Sequence, residues 1–481
     1  MGILGKDKSY YIHSFIGIAL MFIISNIPPM GPVTHFGMQL GGIFIGLIYL
    51  WSFVGTFWTS LFGVIMLGMV EEIGMYGIFS AFSSYIALLV LFCLIFCGAI
   101  GDSGLTIYIG RWFLTRKIID GRPTVFNFMM MTAIYVVAGL IDPIASVLVM
   151  WPTMYGVLQV AGYTNKDKYP RVLTVCSYLA IAFGQCMIPF WGGQLVMLGA
   201  FEGASGIKVN YAMYLFFNVI MSLIMIALMS LAIKYVFHCD LEKMRSISVE
   251  AINKDKLPPM SIQQKLYVVA AIAFLAFAIL SAMLPQDWGF VVWMNKLNLV
   301  GFTMFLIVVL VLIKIDGKPV LDPAKIPKEY VSWDMYFLVV ITVFLSNILL
   351  SDETGLKLLL IDGMMPVLGK FGAVFFLVLL IVVGILLTNY ASNIVVGTVF
   401  VQLIAAIAPE LGLDPVPVAM VCILSVFVAL LSPAASPYAP ALHTNTEWTS
   451  QGEIMKYGLA LMAISMIVYL VIGYPIATVL F

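Results

Sequence analysis

Between Lys370 and Glu410 the chain carries no charge at all, and between Arg122 and Lys166 its only charge is Asp142. Each run is about 40 residues long, and a helix needs only about 20 apolar residues to cross a hydrocarbon core. Each run can therefore cross twice, or dip in and return. Near the middle of each lies a polar break, Asp142-Pro143 in the first and Ser392-Asn393 in the second, 250 positions apart (392 − 142). An Asp at the centre of a membrane helix costs roughly 2.5–3.5 kcal/mol. A polar break repeated at bilayer depth points to a binding site built twice.

The rest of the chain fits that setting. Of 481 residues, 62% are hydrophobic and 10% charged, and the mean hydropathy is +1.08. No soluble fold of this size hides so much apolar surface. The expected fold is an all-α polytopic membrane protein, with about 11 transmembrane helices plus two re-entrant hairpins. A net charge of zero gives no reason to expect a nucleic-acid partner. The expected partners are the lipid bilayer and a small solute. The six cysteines lack zinc-ligand spacing, so no thiol metal centre and no disulfide framework is expected. Lys6 and Lys8 precede the apolar segment 11–27, which lacks a small-residue cleavage pattern and is read as a first span.

Apolar runs predict helices near 11–27, 36–50, 53–70, 84–101, 172–201, 211–236, 265–284, 297–313, 334–350, 415–443 and 455–480. The hairpins lie near 124–161 and 371–408, and polar interruptions near 102–122, 163–171, 237–264, 314–332 and 351–370. With the N-terminus inside, 20 of the 24 Lys and Arg fall on the inner side, which places the C-terminus outside. The expected location is the plasma (bacterial inner) membrane.

The two halves share an order. Ser103-Gly104-Leu105 and Thr354-Gly355-Leu356 each follow an apolar span and precede a hairpin and then a broken span. Five single spans separate the two Gly-Leu segments, an odd number, so the repeats are expected to be inverted. Secondary transporters are often built this way, with midplane sites made from discontinuous helices. In 172–201, Pro189 and Gly192-Gly193 interrupt a run holding Gln185 and Gln194. In 415–443, Pro433, Pro437 and Pro440 crowd around Ser432 and Ser436. Proline removes a helical hydrogen bond and breaks or kinks the run. No Arg or Lys lies inside these runs, so an anion there must be held by backbone amides, helix ends, side-chain amides and co-bound cations.

These residues resemble the divalent-anion/sodium symporter family of the ion-transporter superfamily, over most of the chain. The best local match is 319–356, from Pro319-Val320-Leu321-Asp322 through Ser332-Trp333-Asp334 to Glu353-Thr354-Gly355-Leu356. Gly101-Asp102-Ser103-Gly104-Leu105 with Arg111-Trp112 is similar to the family's first-repeat equivalent. The family carries Ser-Asn-Thr at both tips. Here the second tip keeps Ser392-Asn393 and has Ile394 for Thr, while the first reads Asp142-Pro143-Ile144. The family's Thr-Pro-Pro-Asn segment becomes Trp191-Gly192-Gly193-Gln194 in one broken span and Ser436-Pro437-Tyr438-Ala439 in the other.

The resemblance implies a homodimeric elevator. Scaffold spans and a connecting helix would occupy 1–122 and further scaffold spans 265–370. The halves of a moving domain would occupy 123–237 and 371–481, with a cytosolic linker at 238–264. It also implies transport of di- or tricarboxylate-like anions with sodium. Substrate would lie among Ser392, Asn393, Ile394, Asp142, Pro143, Gln194 and Ser436. Cations would lie among Asp142, Gly184, Gln185, Thr388, Ser392, Asn393, Ala435 and Ser436.

Asp142 suits two roles that are compatible. A carboxylate here can bind sodium or carry a proton, and it can also cap the helix begun by Pro143. Protons are therefore the alternative coupling ion, in an anion carrier or exchanger of the wider superfamily. Asn393 offers donor and acceptor together, and can equally cap a helix break. Ile394 removes a hydroxyl from the expected substrate wall and predicts a bulkier, less polar substrate. A membrane-embedded enzyme is not expected, because neither His-Glu-x-x-His nor Gly-x-Ser-x-Gly occurs and the four histidines are scattered. A non-transporting sensor is a lesser alternative.

Overall fold

The computed structural model describes residues 8–190, 192–245, 258–433 and 435–481. Trp191 and the stretch 246–257 of the expected linker lie outside the described residues. Apart from one two-stranded ribbon, Lys314–Ile315 with Lys318–Pro319, the regular structure is helical. In chain order the principal helices begin with α1 Lys8–Ser25, α2 His35–Phe53, α3 Phe57–Gly68, α4 Gly74–Phe79, α5 Tyr85–Asp102 and α6 Thr106–Leu114. The first hairpin is α7 Pro123–Leu140 and α8 Pro143–Val160. Then come α9 Lys168–Gln185, α10 Gly193–Ser205, α11 Tyr211–Tyr235, α12 Ile262–Met283, α13 Gly289–Leu312 and α14 Trp333–Leu349. The second hairpin is α15 Leu356–Thr388 and α16 Asn393–Ile407, followed by α17 Pro415–Ser425, α18 Ala439–Thr444 and α19 Gln451–Leu480.

Among the described residues, 10 helices are long and apolar enough to cross a membrane, or 11 if the bent pair ending in α14 counts as one span. The protein is a polytopic, almost wholly helical membrane protein. Three expectations shift. The span expected at 53–70 shrinks to α3, which at 1.5 Å per residue is roughly 18 Å long. The interruption expected at 102–122 contains α6. The interruption expected at 351–370 is mostly helix, because α15 starts at Leu356 and runs on through a break at Gly372. Lys357, Asp362 and Lys370 gave that stretch a polar look, but Leu358, Leu359, Leu360 and Ile361 between them are good helix formers.

The order of the halves is visible in helix starts. α6 and α15 begin at Thr106 and Leu356, and α8 and α16 at Pro143 and Asn393, both 250 apart. Gly104 and Gly355 precede the first pair, and both take left-handed φ, 74° and 68°. Thr354-Gly355 docks on the start of α2. The Thr34 N–H donates to the Thr354 carbonyl at 3.0 Å, and the Thr34 hydroxyl donates to the Glu353 carbonyl at 2.7 Å.

The two broken spans form the centre of the protein. In α9 every residue except Lys168 and Arg171 is buried, and so is nearly all of 415–431. The six cysteines are free and buried.

Candidate functional site

The second hairpin tip is built by what surrounds it. α17 stops at Ser425, well before Pro433, and the described residues from there to Tyr438 are not helical. Backbone groups of that segment bond to the tip. The Thr388 hydroxyl donates to the Val426 carbonyl at 2.7 Å. The Asn389 Nδ2 donates to Val428 at 2.9 Å, while its Oδ1 accepts from the N–H groups of Leu430 and Leu431, both at 2.8 Å. The Ser432 hydroxyl donates to the Asn389 carbonyl at 2.6 Å, and the Asn393 N–H to the Ala435 carbonyl at 3.3 Å. Thr388 and Ala435, expected as cation ligands, thus have protein partners. Asn389 is fully satisfied and holds the tip.

Ser436 is bound likewise. Its Oγ accepts from the Ala439 N–H at 3.1 Å and lies 2.9 Å from the Tyr178 hydroxyl, which donates to the Ala429 carbonyl at 2.8 Å. Tyr178 of α9 therefore ties one broken span to the other. Nothing in its helical, apolar context marked it.

Asn393 behaves differently. It is 1% exposed, and neither its Oδ1 nor its Nδ2 has a partner among the described residues. Leaving a buried polar group unpaired costs about 1–3 kcal/mol, and such a group in a native fold calls for an explanation. Gln194, wholly buried at the start of α10, donates through Nε2 to the Ile188 carbonyl at 2.6 Å and leaves Oε1 unpaired. Gln185 at the end of α9 also has an unpaired Oε1.

Two of these amides sit at neighbouring helix starts. A Cβ built on Gly193 would lie 2.5 Å from Ile394 Cγ1, and one on Gly397 would meet the Met197 side chain. The matched order shows that α10 and α16 run parallel with their N-termini together. Neither start has a side-chain cap: Gly192 has none to offer, and half-buried Ser392 makes no cap bond. Each N-terminus carries about half a positive charge. Two such ends about 9 Å apart repel by roughly 0.5 kcal/mol at an effective dielectric of about 20. A unit negative charge about 5 Å from each would gain roughly 1.7 kcal/mol per helix on the same scale. The arrangement favours an anion. Ile394 fills the contact with Gly193, so its side chain is packing between helices.

The first tip differs. Asp142 caps α8, its Oδ1 accepting from the N–H groups of Ile144 and Ala145 at 2.7 and 2.9 Å. The carboxylate occupies the helix start that α10 and α16 leave open. Pro143 fills the first helical position. Gly184 packs against α7, where a Cβ would meet the Tyr135 carbonyl oxygen at 2.3 Å. Asp142 borders a cavity of about 480 Å³ whose other walls include Gly98 and Gly101 of α5 and Glu329 and Tyr330. No residue of the second tip lines it. The expected site residues thus form two groups: Asp142 and Pro143 with the end of α9, and Asn393, Ser392, Ile394 and Gln194 with the wrapping segment.

The α10–α16 contact gives a test of this geometry. Gly193→Ala is expected to destabilise by about 1–3 kcal/mol through overpacking. Ile394→Ala added to it should recover about half of that loss. A thermal or denaturant series showing additive losses would contradict the contact.

The sequence pattern of the family described as "CitMHS: Citrate transporter" matches residues 44–425. A solved structure, described as the Alcanivorax borkumensis YdaH transporter with an unusual topology, is similar in fold at a TM-score of 0.55. It is 15% identical, and the match covers 93% of this chain and 98% of that one. No curated protein sequence matches.

Proposed function

This chain belongs to the citrate transporter family, and from that premise we propose a secondary active carrier of di- or tricarboxylate anions that seats a substrate carboxylate at the paired starts of α10 and α16. The observation that carries the reading is the buried, unpaired amide of Asn393 beside two uncapped helix N-termini. Asn393 supplies a side-chain donor and the first-turn backbone N–H groups supply the rest, while Gln194, whose Nε2 donates to Ile188, presents Oε1 as an acceptor. Ser392 lies at the edge of the seat. The reading includes the finer features expected from the divalent-anion/sodium symporter resemblance. These are inverted repeats with re-entrant hairpins, a homodimer, elevator motion and a plasma-membrane location with the N-terminus inside.

Sodium is the proposed coupling ion, because a substrate of charge −2 or −3 in low dielectric needs an offsetting cation. Gln185 Oε1 is unpaired and available to such an ion. Proton coupling through Asp142 is the second reading, favoured by a carboxylate placed between two membrane-length helices.

The experiment is citrate uptake into proteoliposomes with an imposed sodium or proton gradient. A sodium gradient should accelerate uptake by about tenfold or more, each tenfold in gradient supplying about 1.4 kcal/mol of drive. Asp142→Asn preserves the cap geometry and removes the charge. Under sodium coupling it should leave uptake within about threefold and the pH profile unchanged. If only a proton gradient drives uptake, and Asp142→Asn abolishes its pH dependence, the sodium reading is wrong and the second one stands.

A further inference from the structure

The far end of α10 borders a second cavity, of about 490 Å³. Phe190, just before the start of α10, and Lys208, just beyond its end, both line it, so the cavity reaches from the end of α10 back toward the helix start. Its polar walls are Lys208 and Asn210 between α10 and α11, Gln286 after α12, and Asn295 and Asn298 at the bend of α13, with Tyr85 and Phe190 as further lining. We propose that this cavity is a second carboxylate-binding site, a vestibule that holds a di- or tricarboxylate anion on its way to or from the buried seat. The proposal rests on the reading of the protein as an organic-anion carrier.

Among the described residues, Lys208 is the only charged one lining the cavity. The amides around it are oriented as donors. Asn210 Oδ1 accepts from the N–H groups of Ala212 and Met213 at 3.1 and 3.2 Å. Asn298 Oδ1 accepts from the Gly301 N–H at 3.1 Å. A backbone N–H can only donate, so the bound atom in each case is the oxygen and the NH₂ group is left over. Neither NH₂ has an acceptor among the described residues. Asn298 adopts φ 50° and ψ 176° inside α13, outside the left-handed helical region, where the helix bends. Gln286 Oε1 already accepts from Asn295 at 2.8 Å. The result is one cation and two free amide groups with no carboxylate on the wall.

Lys208 is held loosely. Its Nζ lies 3.3 Å from Glu202 Oε2, but its side chain is 85% exposed while that of Glu202 is 6% exposed. Glu202 also accepts from the Val209 N–H at 2.8 Å, so it keeps a donor when Lys208 turns toward a ligand. An exposed lysine on a flexible stem can be shared between two carboxylates. A charged group at a mouth raises the local concentration of an oppositely charged substrate, an effect that salt suppresses.

The test is initial-rate citrate uptake by the reconstituted full chain. Lys208→Gln should raise KM about five- to tenfold and leave kcat within about twofold, because the buried seat is untouched. Lys208→Arg should restore KM to within about twofold of the wild-type value. Asn298→Asp, which keeps the side-chain shape and the oxygen that accepts from Gly301, should raise KM by a similar factor. All of these differences should shrink at about 0.5 M salt. Wild-type KM in both Lys208→Gln and Asn298→Asp, with the parent protein active, overturns the vestibule alone. A parent protein that neither binds nor transports any di- or tricarboxylate overturns the vestibule together with the carrier reading.

Discussion

Asn393→Leu is expected to lower citrate uptake by about 10- to 100-fold while leaving the thermal midpoint at or above that of the parent protein. The two effects have opposite signs for one reason. The Asn393 amide is buried with both polar atoms unpaired among the described residues. An apolar side chain of similar size removes two unsatisfied groups, a change that is neutral or stabilising by about 1–3 kcal/mol. The same change removes a donor to a charged ligand, and a hydrogen bond to a charged group is worth roughly 1.5–3 kcal/mol. A cap or tip-holding role predicts a different pattern, in which stability falls along with transport. Asn389→Leu is the internal contrast. That amide is satisfied by Val428, Leu430 and Leu431, so its loss strands three backbone groups and should unfold the tip. Thermal shift and uptake measured side by side decide the matter; a lowered midpoint in Asn393→Leu would sink the ligand assignment.

Gly355→Ala should be among the most destabilising single-methyl changes in the chain, at about 3 kcal/mol or more. Its φ of 68° lies in the left-handed region, which costs a residue with a Cβ about 1 kcal/mol. The larger part is steric. The added Cβ would sit 1.9 Å from the Pro32 carbonyl oxygen and 3.0 Å from Val33 Cα. Those are backbone atoms, and no rotamer change relieves them. The start of α2 would have to withdraw from Thr354, giving up the bonds made by Thr34. Detergent-solubilised protein should show the loss as an earlier thermal midpoint. A midpoint within about 1 °C of the parent value would show that the docking of α2 on Thr354-Gly355 does not hold.

This pair of residues also shows what the sequence makes legible. Glu353-Thr354-Gly355-Leu356 was recognisable as a motif, and the uncharged runs with their central polar breaks located both hairpin tips, though α15 starts 15 residues before the expected second hairpin. The broken spans were legible too, because Gly192-Gly193 and the prolines from Pro433 to Pro440 cannot sit in continuous helix. The place where α17 ends was not. Ser425 is followed by Val426-Phe427-Val428-Ala429-Leu430-Leu431, an apolar stretch that reads as more helix. It leaves the helix because Thr388 and Asn389, nearly 40 positions earlier, take its backbone hydrogen bonds. Such a partnership has no local signature. Tyr178 was missed for the same reason, since its partners Ala429 and Ser436 are more than 250 positions away. Asp142 was legible as a cap beside Pro143, and the geometry gives the cap bonds. The parallel alignment of α10 and α16 was out of reach, because helix direction in space depends on every preceding turn.

The hydrogen bonds around Asn389 have a mechanical consequence. Six bonds join 388–393 to the segment 426–435. At about 1 kcal/mol each, parting them costs about 6 kcal/mol, which leaves the separated form at roughly one molecule in 10⁴. A hairpin tip sewn to its neighbour in this way cannot swing alone as a gate. In the proposed carrier the tip and the wrapping segment therefore move together, as one piece.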